Sequence, residues 1–303
     1  MLSNIKSPIQ FKILIGIIAL VAFICTSIGI FSGGGPGPYY YTSIRNNTVT
    51  IFGKGVYQHM SAEVAPQGIA QDYITLFIGI PLLMVSFWVS RRGFVRGKFI
   101  LAGVLAYFMV TYLFYLVMAM YNFLFLGYVV LLGLSFFAFL MVLSSFELSQ
   151  LPSLIGDKTP VKAIGGFLIF VSLSIAFLWL SIVIPPILNG TLIPKEVEHY
   201  TTLIVQGLDL AILLPSAFII GNLFRSRKSL GLLLAPVYFI FLSMLMTALT
   251  AKVIAMWSLG YNVVPVIFII PSFNLITIIC AIIILKNISN TSNRDNALLR
   301  VFV

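Results

Sequence analysis

The stretch Gln67–Lys98, QGIAQDYITLFIGIPLLMVSFWVSRRGFVRGK, decides the fold. It opens on two kinds of polar group, the amides of Gln67 and Gln71 and the carboxylate of Asp72. It then runs through an apolar segment interrupted by Pro81 and closes on Arg91, Arg92, Arg96 and Lys98. About 20 apolar residues are what a helix needs to cross the hydrocarbon of a bilayer. Cations massed at one end of such a run mark the side it faces.

The rest of the chain repeats this grammar. Of 303 residues, 60% are hydrophobic and 9% charged, with a mean hydropathy of +1.09. A soluble domain carries roughly 25% charged residues, so this chain cannot cover a water-facing surface. Counting apolar runs predicts an all-α integral membrane protein of about eight transmembrane helices. They lie near residues 13–31, 69–90, 99–120, 123–144, 163–188, 200–224, 229–252 and 263–285. The first run is too long for the apolar region of a signal peptide and has no small-residue cleavage signal after it, so it is expected to stay as a helix. The formal charge of +10 sits in short clusters between the runs rather than along an extended face, which excludes a nucleic-acid footprint.

With the N-terminus inside, fourteen of the eighteen Lys and Arg fall on the inner side, from Lys6 to Arg300, against Arg45, Lys54, Lys195 and Lys252 outside. That bias places both termini in the cytoplasm of a multi-pass cell-membrane protein whose surrounding partner is the lipid bilayer.

A second copy of the opening layout lies at Gln206–Lys228. Pro81 precedes Arg91 by ten residues, and Pro215 precedes Arg225 by ten. Asp72 and Asp209 both follow a Gln-Gly pair. Each span comes after a loop holding one of the two histidines, His59 and His199, and each following hairpin carries Tyr-Asn, at Tyr121-Asn122 and Tyr261-Asn262. The expected organisation is therefore a tandem parallel repeat. A first four-helix half spans 1–150, with its long outer connection at 33–66. A second half spans 151–285, and a polar cytoplasmic tail spans 286–303.

Ionisable groups inside an apolar span are costly and mark pathways or partners. Asp72 and Asp209 are the expected ion- or substrate-binding carboxylates, with Gln71, Gln206, Asn274 and Thr277 as polar lining. A second constellation is metal-like. His59 and Glu63 are four apart and Glu196 and His199 three apart, spacings that put imidazole and carboxylate on one helical face. The leading expectation is a transporter- or permease-like protein for an ion or small solute. The alternatives are a non-catalytic membrane partner, sensor or assembly subunit, and a membrane-embedded enzyme with an outer-face metal site. No P-loop, zinc-protease helix, nucleophile triad or dinucleotide fingerprint is present, no cofactor is implied, and the enzyme reading has only the histidine pairs to stand on.

Overall fold

The computed structural model describes residues 8–289. Lys6, Arg294, Arg300 and most of the expected tail lie outside the described residues. Eight helices are long and apolar enough to cross a membrane, which is compatible with a polytopic membrane protein. They are α1 (Pro8–Phe31), α2 (Val64–Arg91), α3 (Val95–Met118), α4 (Phe125–Ser144), α5 (Val161–Leu188), α6 (Ile204–Arg225), α7 (Ser229–Ser258) and α8 (Val266–Asn287). The expected spans are all found. Their ends shift by a few residues; α6, for example, starts at Ile204 rather than Tyr200 because residues 198–203 turn instead of coiling.

The helices pack in a closed pattern. In the first four, α1 touches α2 and α4, and α3 touches α2 and α4. Among the last four, α5 packs on α6, α6 on α7 and α7 on α8, while Phe167 and Phe170 of α5 meet Phe273 of α8. The two groups join through α3 against α7, with α2 also on α7. Phe99, Leu101, Leu105, Phe108, Phe239 and Met246 are therefore fully buried. Helices wrapped by other helices need no polar face, and α3 and α7 have none. The α5–α6 crossing is closer than any side chain permits. A Cβ on Gly165 would stand 2.6 Å from the Gly221 carbonyl, and one on Gly221 2.8 Å from the Gly165 carbonyl.

Two irregularities stand at matching places. In α2, residues Thr75–Gly79 form a π turn, with the Ile80 N–H bonded to the Thr75 carbonyl five residues back. In α6, residues Asp209–Leu213 do the same, with the Leu214 N–H on the Asp209 carbonyl. Each π turn ends two residues before a proline, Pro81 or Pro215. Proline offers no N–H and crowds the carbonyl a turn back, and a widened turn relieves that crowding. Around Pro215 the neighbouring helices supply donors: the Tyr238 hydroxyl of α7 to the Leu213 carbonyl at 2.8 Å, and the Ser172 hydroxyl of α5 to the Leu214 carbonyl at 3.0 Å.

The long connection after α1 is a two-stranded antiparallel hairpin, β1 (Tyr39–Thr42) and β2 (Thr48–Ile51), followed by a short 3₁₀ turn at Gly55–Tyr57. It caps one end of the bundle together with residues 189–203, which carry a second 3₁₀ turn at Lys195–Val197. The opposite end is basic and laced to backbone. Lys98 donates to the Ser145 carbonyl at 2.9 Å and lies over the Phe146 ring. Arg96 caps the C-terminus of α8 through the Ile288 and Lys286 carbonyls, and Arg227 pairs with Asp157 at 3.4 Å.

Candidate functional site

The buried face of α2 runs through Gly68, Gln71, Asp72, Thr75, Gly79, Leu83 and Ser86. It carries a polar stripe at helical spacing, and the polar side chains meeting it are mostly tyrosines. Asp72, 1% exposed, accepts from the Tyr57 hydroxyl at 2.5 Å and from Tyr115 at 3.0 Å. Beside it, the Gln71 amide donates to the Tyr107 hydroxyl at 2.8 Å and to Thr111 at 3.3 Å, and one turn along Thr75 shares a 2.8 Å bond with Tyr107. Tyr112 and Tyr128 complete the cluster, edge-on to or stacked against Tyr115 and each other. The Tyr112 hydroxyl is buried without a partner. Burial and then the neighbouring Asp72 carboxylate push the Tyr57 phenol well above its ordinary value, so it stays protonated and keeps donating. Room for this arrangement comes from Gly29 of α1, where a Cβ would stand 1.8 Å from Asp72 Oδ2.

Asp209 is set differently. It opens its π turn, is half-buried, and accepts from Trp179 Nε1 of α5 at 2.8 Å. Lys252 is half-buried on α7, the helix that packs against both α2 and α6. Neither carboxylate approaches it to ion-pair distance; among the described residues the one ion pair is Arg227–Asp157.

Of the expected lining residues, Gln71 sits beside Asp72 and Gln206 beside Asp209. Asn274 and Thr277 make hydrogen bonds within α7 and α8. The Asn274 amide donates to Thr247 of α7 at 3.2 Å, and the Thr277 hydroxyl donates to the Phe273 carbonyl at 2.7 Å. A groove of about 410 Å³ opens beside Gln206. Its walls are the end of α5 (Val183, Ile187), the loop through Leu192, Ile193 and Val197, and the start of α6 through Gly207 and Leu210, with Arg45 reaching in from the hairpin. Val183 lies one turn from Trp179 on the same helix face, so the groove stands above the Trp179–Asp209 bond.

The two histidine loops do come together. A ring nitrogen of His199 lies 3.0 Å from the His59 carbonyl, and the Ser61 N–H donates to the Tyr200 hydroxyl at 3.2 Å. The contact, however, is ring to backbone. The paired helical faces that the spacing suggests do not form, because His59 and His199 lie in turns and Glu196 in a 3₁₀ turn. Glu63 and Glu196 are exposed, and among the described residues no three His, Cys, Asp or Glu side chains gather as a metal-binding group. The carboxylate beside His199 is Glu198, whose backbone takes a positive φ of 49°. Its Oε2 and the His199 Nδ1 are both buried without partners. Burial, with a smaller push from Glu63, raises the Glu198 carboxyl above its ordinary value.

Tyr57, Tyr115, Trp179 and Glu198 were not singled out by sequence reasoning. Trp179 had a usable signal as an indole donor in the middle of an apolar run, since a buried indole needs an acceptor. No family model matches the chain, and no curated protein or solved structure is detectably similar to it.

Proposed function

We propose that the chain is inserted in the cell membrane with both termini inside, and that its two like-oriented four-helix halves, 1–150 and 151–285, form a permease-like carrier for an ion or small solute. Asp72 and Asp209 are its coupling carboxylates, and Gln71 and Gln206 are the amides beside them. The carrying observation is that each aspartate lies in or one turn before a π turn that precedes a proline, on two helices that both pack against α7, the helix of Lys252. A lysine shared between the two carboxylates would couple their charge states, because neutralising one frees the lysine to favour the other. Broken helices with π turns are where membrane carriers place ligands.

The test uses the full chain in liposomes loaded with a pH-sensitive dye. A proton leak driven by an imposed gradient, or its coupling to one member of a solute panel, is expected for the wild type. Loss is expected for Asp72→Asn, Asp209→Asn and Lys252→Gln. Fluxes equal to those of empty vesicles across the panel would sink the reading.

The sealing of Asp72 by Tyr57 and Tyr115 favours a second reading, a non-catalytic partner or assembly subunit in which the network only holds α1, α2 and α3 together. That reading expects flux-silent vesicles and co-purification of a defined second protein. The metal reading of His59, Glu63, Glu196 and His199 is tested by elemental analysis of the purified protein.

A further inference from the structure

The groove above the Trp179–Asp209 bond has a charge, Arg45, with no ion-pair partner among the described residues. Arg45 leaves the β1–β2 turn and crosses to the second loop. There its Nη1 donates to the Glu198 and Tyr200 carbonyls at 3.5 and 3.0 Å, and its Nη2 to the Thr201 carbonyl at 3.2 Å. These three bonds fix the guanidinium plane. They are all to neutral carbonyls, and among the described residues no carboxylate reaches ion-pair distance of Arg45. A guanidinium has five N–H donors. Among the described residues its Nε–H, on the side edge of the guanidinium, has no protein partner. That edge is the parallel fork that fits a carboxylate.

The remaining walls have one chemistry. Val183, Ile187, Leu192, Ile193 and Leu210 are aliphatic, and Thr201, Thr202 and Gln206 supply neutral polar groups near the rim. The volume is in the range of small-molecule sites, which are mostly apolar with a few placed polar groups. A preorganised fork over an aliphatic trough matches a molecule with one anionic head and a short apolar tail. A small cation would meet the Arg45 guanidinium on the groove wall.

We infer that this groove binds small amphipathic monocarboxylates, the head on Arg45 and the tail along Val183 and Ile187 toward Trp179. This names the solute class of the carrier proposed above and rests on that reading for its role, although binding itself does not require transport.

The test is a titration of the full chain in lipid nanodiscs. Trp88→Phe and Trp257→Phe leave Trp179, the remaining one of three tryptophans, as reporter one helical turn from the groove-lining Val183. Hexanoate is expected to change its emission saturably, and hexyltrimethylammonium, with the same tail and opposite head, is not. Arg45→Gln should weaken hexanoate by about 10-fold or more, the size of a charge-assisted hydrogen-bond pair. Val183→Phe fills the trough, leaves the three Arg45 bonds in place, and should weaken it as well. Equal response to both head groups, or undiminished binding in either variant, overturns the site. Saturable hexanoate binding without hexanoate entry into vesicles keeps the site and removes the carrier reading for this solute. Flux of another solute without hexanoate binding does the reverse.

Discussion

Gly29→Ala tests the Asp72 network without reference to any activity. The added Cβ would stand 1.8 Å from Asp72 Oδ2, 2.8 Å from its Cγ and 3.1 Å from the Tyr57 hydroxyl. Real contacts of this kind lie near 3.5 Å. The carboxylate must therefore swing away by well over an ångström, which breaks its 2.5 Å bond from Tyr57 and strains the 3.0 Å bond from Tyr115. A hydrogen bond to a carboxylate contributes about 1.5–3 kcal/mol, so losing the Tyr57 bond and weakening the Tyr115 bond costs about 2–4 kcal/mol. Backbone relaxation of α1 lowers this toward about 2 kcal/mol, as partial collapse does at other packed sites. Asp72→Ala removes the obstacle, and in that background the new methyl should cost less than about 1 kcal/mol. The measurement is a double-mutant cycle on the full chain in bicelles, following helix loss by circular dichroism as denaturing detergent is added. A coupling energy of about 2 kcal/mol or more is expected. A Gly29→Ala cost that is negligible, or unchanged by Asp72→Ala, would refute the placement of this carboxylate against α1.

Two further outcomes follow from the loops and the charge pattern. The folded state holds the Glu198 carboxyl above its ordinary 4.5, so it keeps a proton that the unfolded chain releases. Stability should then be greatest below 4.5 and fall as pH rises through the folded-state value, and Glu198→Gln should flatten that slope in melting curves taken between about pH 4 and 7. For orientation, Asn46→Cys should react with an impermeant thiol reagent on intact cells, and Lys158→Cys only after permeabilisation. The native Cys25 and Cys280 are buried and should stay silent; the opposite labelling pattern would reverse the assigned sides.

The spans were legible because lipid-facing helices need only length and hydropathy, and all eight expected runs are helices. That Asp72 would be hydrogen-bonded was legible for a related reason, since a carboxylate in an apolar run must find donors. Its donors were not. Tyr57 lies in a loop, and Tyr115 sits in a tyrosine-rich run that reads equally well as packing. Periodicity failed where the backbone departs from the α-helix. Glu196 and His199 are three apart, yet a 3₁₀ turn and the positive φ of Glu198 separate them and bring Glu198 to the histidine instead. Asn274 and Thr277 face α7 and their own helix, a choice that depends on how α8 is rotated, which its nearly uniform apolar sequence does not encode. The groove joins four separate segments, and no single stretch of sequence announces it.

The three-residue mismatch between the aspartates, relative to their prolines, has a mechanical meaning. Each π turn is a helix carrying one surplus residue. Such a defect can move along a helix by exchanging i+5 bonds for i+4 bonds, much as a ruck moves along a carpet whose edges stay fixed. Each residue it passes turns by about 100° around the axis and rises about 1.5 Å. Thr75 begins the defect in α2 and Asp209 begins it in α6. A shift of one position in α6 would therefore turn a carboxylate, whereas the same shift in α2 would turn a hydroxyl and leave Asp72 pinned by its tyrosines. Two helices of similar design would thus differ in what they can rotate, one carrying charge and the other holding it still.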